Sequence, residues 1–104
     1  MARQKICRVA DIIDGEMKSF DVNDRRIMVV TINGKWYAAD DMCSHAEASL
    51  AMGELDADKL TVCCPLHGAV FELETGQGIE YPAVESIDTF PVTIDGDEVF
   101  VDLD

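Results

Sequence analysis

A chain of 104 residues is long enough for one hydrophobic core and too short for two, so a single domain over residues 1–104 is expected. It carries 21 Asp and Glu against 8 Lys and Arg, a net charge of −13, which excludes nucleic acid and anionic membrane as ready partners. No apolar run is long enough to cross a bilayer, and no basic N-terminus leads into an apolar stretch, so no membrane anchor, no signal peptide and a cytoplasmic location are expected.

Taken in chain order, the pattern is all-β. Ile6 to Val9 reads as a first short strand. Met17 to Val22 alternates apolar and polar residues, the period of a half-buried strand. Arg26 to Ile32 is an apolar, β-branched run, and Asn33-Gly34 after it reads as a two-residue hairpin turn. Lys35 to Ala39 then returns antiparallel. Residues 46–51 have room for one helical turn. Leu60-Thr61-Val62 predicts a strand, and Thr75-Gly76 a turn with Gly at positive φ. Near the end, Asp95-Gly96 joins Val92-Thr93-Ile94 to Val99-Phe100-Val101 as a second hairpin. Short strands at this spacing, with no long helical period, predict an antiparallel β-sandwich or barrel. No repeat, linker or low-complexity tract interrupts it.

Two motifs carry the chemistry: Cys43-Ser44-His45 and Cys64-Pro65-Leu66-His67. The chain has only 2 histidines, and both trail a cysteine in these motifs. That pattern suggests one shared ligand set on two loops that meet in space. Two Cys and two His form the ligand set of a centre in which His₂ replaces Cys₂ on one iron of a [2Fe–2S] cluster. Zinc also takes Cys₂His₂, but groups it as a Cys pair followed by a His pair. Here each loop mixes one Cys with one His, which suits two metals, since each loop can give its thiolate to one iron and its imidazole to the other. Charge explains the use of His. Two Fe(III) and two sulfides sum to about +2, so two thiolates with two neutral imidazoles leave the oxidised cluster near zero, where four thiolates would take it to about −2.

On these residues the chain resembles Rieske-type ferredoxins, the small electron carriers of multicomponent ring-hydroxylating oxygenase systems. Gly68 after the second His, the stretch Phe71 to Gly76, Pro82, and the run from Phe90-Pro91-Val92 to Val99-Phe100-Val101 extend the likeness over nearly the whole length. The resemblance implies a Rieske-like sandwich with two cluster-binding loops inserted between strands. It implies that Cys43 and Cys64 hold a buried ferric iron, and His45 and His67 the outer, reducible one. Pro82 falls where the family places a third loop over the cluster. Residues 46–63 make a gap on the long side for the family. Against the respiratory branch, the positions of the extra disulfide cysteines are Ala48 and Leu66, and those of the Ser and Tyr hydroxyl donors are Ala69 and Phe71. Donors to cluster sulfur stabilise the reduced state, so their absence predicts a potential toward the low end of the Rieske range, around −150 mV.

The partners implied are a flavoprotein reductase driven by NAD(P)H and a terminal aromatic-ring oxygenase, both met transiently by a monomer. The acidic surface would steer those encounters. No nucleophile–base pair or phosphate-binding glycine loop lies outside the motifs, so an electron carrier and not an enzyme is expected. The alternatives are a Rieske-like subunit of a larger complex such as nitrite reductase, and a zinc-stabilised interaction module. Cys7 and Cys63 are expected as reduced thiols, Cys63 in a packing role at the end of its strand. Trp36 reads as core. Leu66, inside the second motif, is expected to exclude water from the cluster, while Met42 and Met52 either share that role or simply pack. Asp40-Asp41 reads as a turn. Gly68 is expected to pass close to the cluster and offer its N–H to a sulfide.

Overall fold

In the computed structural model, residues 2–22, 25–42, 49–65, 68–80 and 86–103 are described. Among the described residues, eleven strands follow in chain order: β1 (Ala2–Arg8), β2 (Met17–Val22), β3 (Arg25–Ile32), β4 (Lys35–Asp40), β5 (Glu54–Asp56), β6 (Thr61–Cys63), β7 (Val70–Glu72), β8 (Gly78–Glu80), β9 (Thr89–Phe90), β10 (Val92–Asp95) and β11 (Glu98–Leu103). They form three antiparallel sheets, ordered β1-β11-β10, β2-β3-β4-β9 and β5-β6-β7-β8. The expected all-β sandwich is therefore present, with a third, small sheet added to it.

The run at β3 lacks strict alternation because both faces of this strand are buried. Ile27 and Val29 point into a core shared with Cys7, Ala38, Val99, Val101 and Leu103. Met28, Val30 and Ile32 point the other way, into a core with Ala39, Leu50, Val62, Cys64, Ala69, Phe71, Leu73 and Ile87. Side chains alternate faces along a strand, so a strand covered on both sides is apolar throughout. Ala38 and Ala39 on the neighbouring β4 repeat this, one to each core. Full burial of each large aliphatic side chain contributes about 1.5–3 kcal/mol. Trp36 is half-buried against the first of these cores, close to the core role read from its strand.

The turn between β3 and β4 is Asn33-Gly34, with φ of 51° and 82°, the double positive φ of a I′ hairpin. The second hairpin differs by one residue. Asp95 pairs with Glu98, so the turn is Gly96-Asp97 and not Asp95-Gly96. Gly96, at φ 65°, takes the first central position, as a II′ turn requires. The first strand is also longer than Ile6 to Val9, because its edge is zipped to β11 from Ala2 onward, and Val9 falls in a short 3₁₀ turn. Leu60, at φ 55°, sits in the turn before β6 and not in the strand. The helical turn expected within 46–51 is a 3₁₀ turn at Leu50–Met52, and residues 46–48 lie outside the described residues. Gly76 has the positive φ expected of it, at 77°.

Phe71 is wholly buried in the core beneath the small sheet. Phe71→Ala is expected to cost about 3–5 kcal/mol through lost transfer energy and a cavity. Ile13→Ala, at a side chain 70% exposed, should stay within about 0.5 kcal/mol of wild type. Urea unfolding of both variants checks the contrast.

Candidate metal centre

The second motif begins where β6 ends. Val62 pairs with Phe71 and Cys63 with Val70, so β6 and β7 form a hairpin whose connection holds Cys64 to Ala69. The Cys64 N–H donates to the Ala69 carbonyl at 2.7 Å, and the Gly68 N–H donates to the Cys64 carbonyl at 3.1 Å. This fixes the backbone of Cys64 on both sides. Its side chain is 2% exposed, inside the core with Leu50, Val62, Ala69 and Phe71, whereas Pro65 next to it is exposed. Gly68 needs its positive φ (73°) to close this turn, and its N–H is committed to Cys64.

The first motif is framed in the same way. Met42 and Ser49 form an isolated antiparallel bridge on either side of it. Leu50 then enters the core that holds Cys64. Gly53 follows, lying so close to the second motif that a Cβ there would overlap the Cys63 carbonyl oxygen and come within 3.2 Å of Pro65 Cδ. Only glycine allows that approach. Glu54 then pairs with Cys63. The chain leaving the first motif therefore runs directly along the root of the second.

A third approach comes from β8, where Glu80 pairs with Val70, one residue from Ala69. The chain returns at 86–88, where the Ile87 N–H donates to the Gly76 carbonyl at 2.8 Å and the Asp40 N–H to the Asp88 carbonyl at 2.9 Å. Arg25 ties this return to the end of β4. Its guanidinium holds Asp40 through two bonds of 2.9 and 3.2 Å and Asp88 at 2.7 Å, and it lies 4.7 Å over the Phe90 ring. The hydrogen bond to Asp40 binds the Arg25 proton more tightly than usual.

Of the four candidate ligands, Cys64 is described, while Cys43, His45 and His67 lie outside the described residues, as do Ala48, Leu66 and Pro82. Accordingly no group of three metal donors occurs among the described residues. The residues present fit an iron–sulfur cluster: a cysteine held rigidly in a dry, apolar pocket next to an exposed turn is a suitable thiolate donor. Ala69 and Phe71 are both wholly buried and bring no hydroxyl to that pocket.

Other residues sit differently from expectation. Met42 and Met52 are 50% and 78% exposed, so neither packs in a core. Cys63 is half-buried on the outer face of the small sheet, beside Thr61, Val70 and Ile79, since its neighbour Val62 takes the inward position. Asp40 and Asp41 are not a simple turn: Asp40 closes β4 and pairs with Arg25, and Asp41 is completely buried. Sequence reasoning missed Arg25, Asp41 and Gly53. An acidic pair ahead of the first motif was the signal for Asp41 and a lone glycine between the motifs that for Gly53; Arg25 had none.

Residues 2–91 match the Rieske [2Fe-2S] domain family, and the chain belongs to it. It is 41% identical over 103 residues to the 3-phenylpropionate/cinnamic acid dioxygenase ferredoxin subunit of Escherichia coli, covering 99% of this chain and 95% of that protein. The ferredoxin of carbazole 1,9a-dioxygenase from Nocardioides aromaticivorans IC177 superposes with a TM-score of 0.93 at 34% identity, over 97% of each chain. A chain of the complex of reduced oxygenase and oxidized ferredoxin in carbazole 1,9a-dioxygenase gives 0.86 at 31% identity, over 95% of this chain and 91% of that one. Within the family this chain is of the ferredoxin type, an electron carrier with a Rieske-type [2Fe–2S] cluster and not a catalytic oxygenase. No helix among the described residues is long and apolar enough to cross a membrane.

Cys7 lies on β1 in the other core, away from these motifs. Burial raises its thiol above the ordinary value of 9.0, Asp11 adds to this, and Lys18 opposes it. The folded state therefore holds the thiol proton more tightly than the unfolded chain. That contribution is complete below about pH 9 and is lost as pH rises through the folded value. Stability should thus fall more steeply above about pH 9 in wild type than in Cys7→Ala, as unfolding midpoints measured across that range would show.

Proposed function

We propose that this chain takes electrons from an NAD(P)H-dependent flavoprotein reductase and delivers them to a terminal aromatic-ring oxygenase, with Cys43, His45, Cys64 and His67 as the cluster ligands. The observation that carries the ligand assignment is Gly53 against Cys63 and Pro65, because it brings the chain leaving the first motif onto the root of the second. When bound, the [2Fe–2S] cluster supplies one reversible electron per turnover. Cys43 and Cys64 give the thiolates; His45 and His67 give neutral imidazoles, which keep the oxidised centre near zero charge. The apolar surroundings of Cys64 exclude water, and Ala69 and Phe71 withhold hydrogen bonds, both of which favour a low potential. The oxygenase as partner is supported by relatives that are themselves ferredoxin subunits of dioxygenases, one of them in complex with its oxygenase.

The net charge of −13 favours fast, weak encounters with basic surfaces, which suits a monomer that shuttles in the cytoplasm between two partners. The acids concentrated near the C-terminus do not cluster at the metal site. Asp95, Asp97, Glu98 and Asp102 lie on or beside the β10–β11 hairpin, in the sheet that lines the opposite core, and Asp104 lies outside the described residues.

EPR of the dithionite-reduced protein, purified without added metal, tests the ligand reading. A red-brown sample with the low average g of a His-ligated [2Fe–2S] centre is expected, and His45→Ala or His67→Ala should lose that signal. A colourless sample containing zinc, or a full signal in either variant, would overturn it. Ala69→Ser should raise the midpoint potential, because it adds a hydroxyl donor beside Cys64. Voltammetry giving an unchanged potential with an intact cluster would remove Ala69 from the residues that tune the centre.

A further inference from the structure

Among the described residues, Asp41 is the charged side chain that is wholly buried. An ionised carboxylate in such a place is costly unless donors surround it. Asp41 has them. Its Oδ1 accepts the Ala51 N–H at 2.9 Å, and its Oδ2 accepts the Ser49 hydroxyl at 2.6 Å. Its backbone N–H donates to the Arg26 carbonyl at 3.1 Å, and its carbonyl accepts the Leu50 N–H at 2.7 Å. One bond thus anchors it to β3, and the other three reach residues 49–51. Asp41 precedes the segment that carries Cys43 and His45, and residues 49–51 follow it. The Met42–Ser49 bridge closes beside these bonds. A hydrophobic residue at position 41 would fill the same space and keep the backbone bonds to Arg26 and Leu50, but it would lose the two side-chain bonds to Ser49 and Ala51.

We infer that Asp41 is a positioning residue of the metal centre: it clasps the two ends of the first ligand loop through Ser49 and Ala51, and it sets a buried negative charge against the electron that the centre accepts. This rests on the reading of Cys43 and His45 as ligands. The clasp continues toward the second motif, since Leu50 shares a core with Cys64 and Gly53 abuts Cys63 and Pro65. Holding both loops limits rearrangement when the electron arrives or leaves. The charge opposes reduction and so lowers the potential, in the same sense as the missing hydroxyls at positions 69 and 71.

The test uses the full chain loaded with its cluster, as wild type, Asp41→Asn, Asp41→Ala and Ser49→Ala. Three quantities are read: the rate of cluster release to an iron chelator, the midpoint potential and the thermal unfolding midpoint. Asn matches the shape of Asp and can still accept from Ala51, while its amide donates to the Ser49 hydroxyl. Asp41→Asn should therefore release the cluster at nearly the wild-type rate with a raised potential. Asp41→Ala leaves the Ser49 and Ala51 donors unmatched and should release it about tenfold faster or more. Ser49→Ala keeps the charge and loses one donor, so faster release with a near wild-type potential is expected. Variants that melt lower but keep the wild-type release rate and potential would reduce Asp41 to a fold-stability role and overturn the inference. If Asp41→Ala fails to fold, unchanged release in Ser49→Ala together with unchanged potential in Asp41→Asn does the same. A wild-type protein without a Rieske spectrum would instead overturn the ligand assignment, and this inference with it.

Discussion

The molecule depends on one strand being buried on both sides. β3 sends Ile27 and Val29 to one core and Met28, Val30 and Ile32 to the other, so the two halves of the protein share a wall. Neither outer sheet could bury its apolar face without that wall. β1, β10 and β11 cover one face of the central sheet, and the small sheet of β5 to β8 covers the other. Its strands have three residues each, too short to be stable alone. They persist because Val62, Phe71 and Leu73 are pressed onto β3 and β4.

The proposed metal centre lies at the edge of that small sheet, where short strands end in loops. A hairpin with three-residue arms brings a buried cysteine to the surface within one residue. The same apolar layer that stabilises the sheet keeps water from Cys64. Stability and redox tuning therefore share residues: Phe71 fills the core, and it also withholds the hydroxyl that a Tyr would bring. The polar ties lie around the rim. Arg25 joins β3, β4 and the return at Asp88, while Asp41 joins β3 to residues 49–51. Both begin at the ends of the long central strands, and both reach toward segments adjoining the proposed ligand loops.

Function as a carrier agrees with this arrangement. A small centre near one end of an acidic protein needs only brief contact with a partner. Long-range charge attraction raises the encounter rate without requiring a large interface. Met42 and Met52, which flank the first motif among the described residues, are exposed.

Much of this was legible in the sequence, because it is written in local rules. Period-two alternation marked β2, Asn33-Gly34 marked the β3–β4 hairpin, and the paired Cys-His motifs marked the chemistry, since coordination demands those residue types at short spacing. β5, β7 and β8 were not legible: three residues hold too little pattern, and pairing with β6 and with each other makes them strands. The shift of the second turn to Gly96-Asp97 was set by the register of β10 with β11 and not by the dipeptide. Asp41 and Gly53 look ordinary in sequence. Only the fold shows that one is a buried carboxylate with all its donors supplied and the other a point where two backbones nearly touch. The sequence by itself determined the class of centre and the β architecture, because donor chemistry and strand periodicity are local. Tertiary structure decided how the two loops are held to each other, because that depends on contacts between residues far apart in the chain.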